Sequence, residues 1–176
     1  HPSQPNQLDT DRYEMVSLGQ EVIAPYVKPG PDGAPLFQLP GRAGRLLPYL
    51  GYAPGAYLGQ MVDLILKQSG TAIHFDRVYE TDMAEGLKAM ALEGHGIAFL
   101  PYSAVKKDLR ANKLVSAAPP DMKALQLTME VRAYRERPPA KDVVKNSVHT
   151  LSAATQPPKR NALALWDYLL SQSKPE

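Results

Sequence analysis

Apolar residues fall at helical spacing in the middle of this chain. Tyr57, Leu58, Met61, Val62, Ile65 and Leu66 share one stripe, which predicts a helix over 55–68. Pro54 and Gly55 stand at its start and Gly70 just past its end. Leu64 widens the stripe, which suits either a helix well buried in its own core or one with a second contact surface, such as a subunit interface. Ile73 to Tyr79 reads as a strand, and Asp82 to Glu93 as a second helix with Met83, Leu87, Met90 and Ala91 on its inner face. Asp82 and Glu85 have capping-box spacing. Gly94-His95-Gly96 ends that helix, with either glycine available for positive φ. Ile97 to Leu100 is a short buried strand. Pro101 opens a helix to about Arg110, Asn112 suits a left-handed cap, and Leu114 to Ala117 is another strand. This alternation predicts a parallel sheet flanked by helices, an α/β fold.

The flanks read differently. Arg12 to Leu18 and Gln20 to Val27 are two expected strands, Pro29 to Gly44 is a series of turns, and Leu46 to Leu50 is a short strand. Leu125, Leu127, Met129, Val131 and Ala133 alternate along a long strand with one covered face. Pro138 to Lys159 is polar, with a frayed helix around Asp142 to Leu151. Asn161 to Ser171 is a closing helix with Leu163, Trp166, Leu169 and Leu170 inward. Of the 17 prolines, nine lie in 1–54 and only Pro101 lies in 55–118, so the middle is the regular part.

Composition narrows the function. The 176 residues carry 20 basic and 18 acidic side chains, a net charge of +2, and are 44% hydrophobic. A disordered tail and a polybasic membrane anchor fit poorly. No apolar run is long enough to span a membrane and no signal peptide is visible, so a cytoplasmic protein without membrane contact is expected. The absence of cysteine excludes disulfides, thiolate zinc sites and cysteine nucleophiles. The chain starts at His1 and reads as a piece of a longer protein.

The chemistry on offer is sparse. Phosphate-loop, zinc-protease and serine-hydrolase motifs are missing. His1, His74, His95 and His149 stand apart from one another at no metal spacing. Glu80 and Asp82 flank a strand-to-helix junction, where capping outweighs acid–base work. No enzyme, cofactor or metal is expected. In an open sheet, ligands gather at the carboxyl ends of strands beside helix starts, here Tyr52 to Tyr57, Glu80 to Asp82 and Phe99 to Pro101. Each of these residues also has the plainer role of a cap or a core aromatic.

The segment ETDMAEGLKAMALEGHGIAFLPYSAVKKDLRANKLV resembles the effector-binding domain of LysR-type transcriptional regulators. Met90 to Gly94, Gly96 to Pro101 and Lys113 to Val115 carry the likeness: a helix, a glycine turn, a buried strand ending in Leu-Pro, and a charged turn before a Leu-Val strand. AYLGQMVDLILKQSG is similar to the first helix of that family's second lobe. QEVIAPYVKPG resembles the strand that crosses into that lobe and the loop after it, and LQLTMEVRAYRERP the strand after the return to the first lobe. The likeness spans about 12–135, and more loosely 161–172. The family's winged helix-turn-helix and the first βαβα portion of its first lobe have no counterpart here.

The resemblance implies a two-lobed, periplasmic-binding-protein-like effector domain. Its second lobe, 25–118, is complete. Its first lobe is partial, in 1–24 and in 119–176, where the chain returns to that lobe and closes with a helix. It implies a small-molecule effector, a carboxylate or aromatic, in the cleft between lobes, shifting lobe geometry and oligomer shape. Carried over, the effector contacts are Ala53, Gly55, Tyr57, Thr81, Ile97 and Phe99, and a dimer or tetramer contact uses Leu58, Met61 and Ile65. DNA is reached through a domain outside this chain. Two further readings stand beside it. One is a periplasmic solute-binding protein of the same architecture. The other is a regulator that senses hypochlorite through methionine oxidation, with Met83 and Met90 as the sulfurs.

Overall fold

The computed structural model describes residues 8–137 and 160–172. Glu21–Met129 forms one compact unit, and the described residues on either side of that span form a second. The frayed helix expected within 142–151, and His1 and His149, lie outside the described residues.

The elements in chain order are β1 (Tyr13–Val27), β2 (Leu47–Tyr52), α1 (Tyr57–Gln68), β3 (Phe75–Thr81), α2 (Ala84–Leu92), β4 (Ile97–Pro101), α3 (Tyr102–Arg110), β5 (Val115–Ser116), a 3-10 turn (Lys123–Leu125), β6 (Leu127–Glu136) and α4 (Arg160–Gln172). The sheet runs β3-β2-β4-β1-β5, with β6 paired to β1 off that path. β2 is parallel to both β3 and β4. β1 runs antiparallel to β4 and β5, so the sheet is mixed and the expectation of a wholly parallel one is corrected. The alternating βα pattern of the middle sets the common direction of β2 to β5. β1 precedes that pattern, and no crossover helix constrains it to the same direction.

The two strands expected over 12–27 are one strand of 15 residues. Gly19 takes φ +121 and lets the backbone turn without leaving the sheet, so a breaker in the sequence acts here as a bend. At the end of α2, Gly94 takes the positive φ of +86. Gly96 serves a different need, because an added Cβ would lie 2.6 Å from the Pro48 carbonyl oxygen.

The core is built on β4. Ile97, Ala98, Phe99 and Leu100 are all buried, because β4 is flanked by β2 and β1 and packed against α2 and α3. Val62 and Ile65 of α1, Leu87 and Ala91 of α2, and Val105 of α3 close over it, with Leu114 and Ala117 following. The wide stripe of α1 is explained in part by Leu58, Leu64 and Leu66, which pack half-buried against this same core. α2 starts later than expected. Met83 is its N-cap in extended conformation, with no side-chain cap. Neither Asp82 nor Glu85 forms the capping box. The Met83 N–H donates to Thr81 Oγ1 at 3.3 Å, and Glu85 pairs with Lys88 at 2.6 Å. Met83 is therefore off the helical stripe and 62% exposed, not on the inner face. In α4 Trp166 alone is buried, with the Arg135 guanidinium 4.9 Å over its ring; Leu163 and Leu170 are exposed. Among the described residues no helix is long and apolar enough to cross a membrane.

Candidate functional site

Parallel pairing brings the ends of β2 and β3 level, with Tyr52 opposite Thr81. The Ala53 N–H then donates to the Thr81 carbonyl at 2.9 Å, which ties the following loop to the strand end. Gly55 turns the loop at φ +84, and the Ala56 N–H donates back to Ala53 at 3.1 Å. Ala56 is the N-cap of α1 and offers no side chain to the helix start. The first turn of α1 therefore takes no side-chain cap from Ala56, and the positive end of the helix faces the loop.

A cleft of about 210 Å³ opens here, lined by Tyr49, Tyr52, Ala53, Pro54, Gly55, Ala56, Gly59, Gln60, Asp63 and Arg77. Arg77 lies 5.5 Å over the Tyr49 ring and pairs with Glu80 at 2.6 Å. Tyr49 stacks on Phe75 at 4.5 Å between ring centres. The arrangement offers an uncapped helix start, a guanidinium, an amide and aromatic walls, a set suited to a small anion or carboxylate.

The residues expected at an effector site divide into two groups. Ala53 and Gly55 line the cleft, and Thr81 is joined to Ala53 by the backbone bond. Tyr57 opens α1 and is partly exposed. Ile97 and Phe99 are 0% exposed and lie inside the sheet core. Met61 and Ile65, expected at a subunit contact, are 3% and 1% exposed and fill the chain's own core; Leu58 beside them is half-buried. Met90 is half-buried against the core. Tyr49, Gln60, Asp63 and Arg77 were not foreseen. Arg77 sits between Asp76 and Val78 in β3, and nothing in that sequence distinguishes it from a solvated charge. Among the described residues no cluster of acids and histidines could hold a metal.

Two buried phenols give this region a measurable signature. Burial raises Tyr49 to about 12, against a smaller lowering by Arg77, and raises Tyr52 as well. Below pH ~10 both are neutral in folded and unfolded chains alike. As pH rises further, the unfolded chain releases protons that the folded chain keeps, so stability falls, by about 1.4 kcal/mol per pH unit per tyrosine until the folded group ionises. Urea midpoints at pH 9 and 11 should show this loss, and Tyr49→Phe should flatten it. Among the described residues the Tyr52 hydroxyl is also buried without a hydrogen-bond partner. Tyr52→Phe is therefore expected to stabilise the fold by about 1 kcal/mol, read as a higher urea midpoint at neutral pH.

Comparison with known proteins agrees with this architecture. A family model described as the LysR substrate binding domain matches residues 5–170. The HTH-type transcriptional regulator YjiE of Escherichia coli (strain K12) is 28% identical over 125 residues, covering 71% of this chain and 38% of that protein. The HTH domain-truncated transcriptional regulator QseD of Escherichia coli O157:H7 is 26% identical over 125 residues, covering 71% of this chain and 48% of that protein. This chain thus spans less than half of either relative. Among solved structures, the regulatory domain of HypT from Salmonella typhimurium superposes with a TM-score of 0.73 at 20% identity, over 97% of this chain and 69% of that one. HypT is described as a hypochlorite-specific LysR-type transcriptional regulator. Both sequence relatives are named as transcriptional regulators, and the superposition agrees in fold. With the family model covering nearly the whole length and the fold agreeing, the chain belongs to the LysR substrate binding domain family.

Proposed function

We propose that this chain senses a small carboxylate for a LysR-type regulator, with the effector seated where the ends of β2 and β3 meet the start of α1. The observation that carries this reading is the uncapped α1 N-terminus opening on a cleft lined by Gln60 and Arg77. The positive end of the helix dipole there favours a negative head group, and Tyr49 and Tyr52 provide an apolar wall. The effector's binding energy shifts the population of domain conformations, and a homodimer or tetramer passes that shift to DNA-binding domains carried outside these residues. The span 25–118 acts as the complete second lobe and holds Ala53, Gly55 and Thr81.

A thermal-shift panel of small aliphatic and aromatic carboxylates tests it. A true effector raises Tm with the logarithm of its concentration. Gln60→Ala or Arg77→Gln should weaken that ligand at least tenfold. A panel without any ligand, or a ligand indifferent to both substitutions, would sink the reading.

One observation favours a second reading. Met83 is 62% exposed at the start of α2, where an oxidant meets its sulfur directly. Hypochlorite would transfer its oxygen to that sulfur and leave as chloride, giving a sulfoxide beside Thr81. Mass spectrometry after mild hypochlorite should find Met83 oxidised before half-buried Met90. The reverse order, or no oxidation of the native chain, removes this alternative.

A further inference from the structure

The long connection from β1 to β2 forms a second cleft, at the opposite end of β2 from the site above. This loop is fixed to the body of its unit. Its Leu36 N–H donates to Lys28 and its Leu39 N–H to Ala117, both at 3.0 Å, and the His74 N–H donates to Pro40 at 3.0 Å. Leu39 is buried beneath it. The resulting cleft measures about 540 Å³, and its wall includes Leu36, Phe37, Leu46, Arg42 and Arg45. That volume lies within the ~300–1,000 Å³ of small-molecule pockets.

The two arginines are placed unusually. Arg42 and Arg45 form an antiparallel bridge across a four-residue turn, with the Arg45 N–H donating to Arg42 at 2.9 Å and the Arg42 N–H to Arg45 at 3.4 Å. Residues directly opposed in this way project to the same side, with Cβ atoms about 4.5–5.5 Å apart, and like charges there repel. Arg12, Arg77, Arg132, Arg135 and Arg137 each have a glutamate within ion-pair distance. Among the described residues Arg42 and Arg45, like Arg110 and Arg160, have no acidic group within ion-pair distance, and these two are distinguished by facing each other across one turn. Beside them Leu36 and Leu46 are 44% and 51% exposed, leaving apolar surface open along the same cleft.

We propose that the Arg42–Arg45 turn and this apolar wall bind an amphipathic monocarboxylate. The carboxylate bridges the two guanidiniums and relieves their repulsion, and the hydrocarbon lies along Leu36, Phe37 and Leu46. An inorganic anion would leave the apolar wall wet. A nucleic-acid backbone would require a longer basic track than Lys28, Arg42 and Arg45 provide.

Titration calorimetry on the 176-residue chain tests this, with decanoate as probe below its micelle concentration. Decanoate should bind saturably at one site. Decanol, which lacks the charge, and acetate, which lacks the chain, should each bind at least tenfold more weakly. The double variant R42Q/R45Q should lose at least tenfold in decanoate affinity with an unchanged circular dichroism spectrum and Tm, since both side chains are exposed. Gln60→Ala, at the other end of β2, should leave decanoate binding intact, which separates this site from the proposed effector cleft. Equal binding by R42Q/R45Q, equal binding of decanol, or binding of a leucine–glutamate peptide or duplex DNA with no decanoate isotherm would overturn the proposal.

Discussion

Gly96→Ala should lower the unfolding free energy by about 3 kcal/mol or more, enough to move a urea midpoint by over a molar unit. The alanine Cβ would stand 2.6 Å from the Pro48 carbonyl oxygen, 3.0 Å from its carbonyl carbon and 3.1 Å from Leu50 Cγ. Pro48 and Leu50 belong to β2, whose parallel pairing with β4 places Tyr49 opposite Ile97 and Leu50 opposite Ala98. Neither strand can back away without breaking that ladder, so the clash cannot relax cheaply. Gly33→Ala is the control. Gly33 has φ +79 but nothing within 4 Å of an added Cβ, so only the backbone strain of about 1 kcal/mol is felt. If both variants unfold at the same midpoint, β2 and β4 do not approach as closely as described.

Phe99→Ala should cost about 3–5 kcal/mol. The ring is fully buried and meets Tyr49 edge-on at 6.4 Å between ring centres. Truncation opens a cavity among strands that are already paired on both sides, and it also removes an aromatic contact worth roughly 0.5–1.5 kcal/mol. Phe99→Leu should recover more than half of the loss. The distinction matters for function. A residue that touched the effector would lose ligand affinity at unchanged stability, whereas Phe99 should lose stability with or without ligand. A chemical melt within 1 kcal/mol of wild type would show that Phe99 does not fill the core as described.

Much of the central architecture was legible because helical and strand spacing coexist there with glycine and proline punctuation. α1, α2, β4 and α3 all lie within a few residues of their expected bounds. What failed to show were consequences of pairing and packing. Gly19 looks like a break until the strand around it is seen to continue. Asp82 looks like a cap, but the backbone at Met83 stays extended for one residue longer and Thr81 takes the N–H instead. The cleft was half visible. Ala53, Gly55 and Thr81 follow from the rule that ligands sit at strand ends, whereas Arg77 reaches the site only because β3 lies parallel beside β2. Ile97 came from the resemblance and Phe99 from both the strand-end rule and the resemblance; the spacing alone did not show that both would be fully buried in a strand paired on both sides.

The position of β3 carries one more consequence. It ends the sheet path and carries the charged residues Asp76, Arg77 and Glu80, with a register shift between Tyr49 and Leu50 of its neighbour β2. The other end of the path, β5, is only two residues long. Charges, a bulge and brevity are the devices that discourage a foreign strand from adding itself to an edge. With a net charge of only +2, long-range repulsion does little to hold copies apart. At these two ends of the path, such devices refuse an incoming backbone a place to zip.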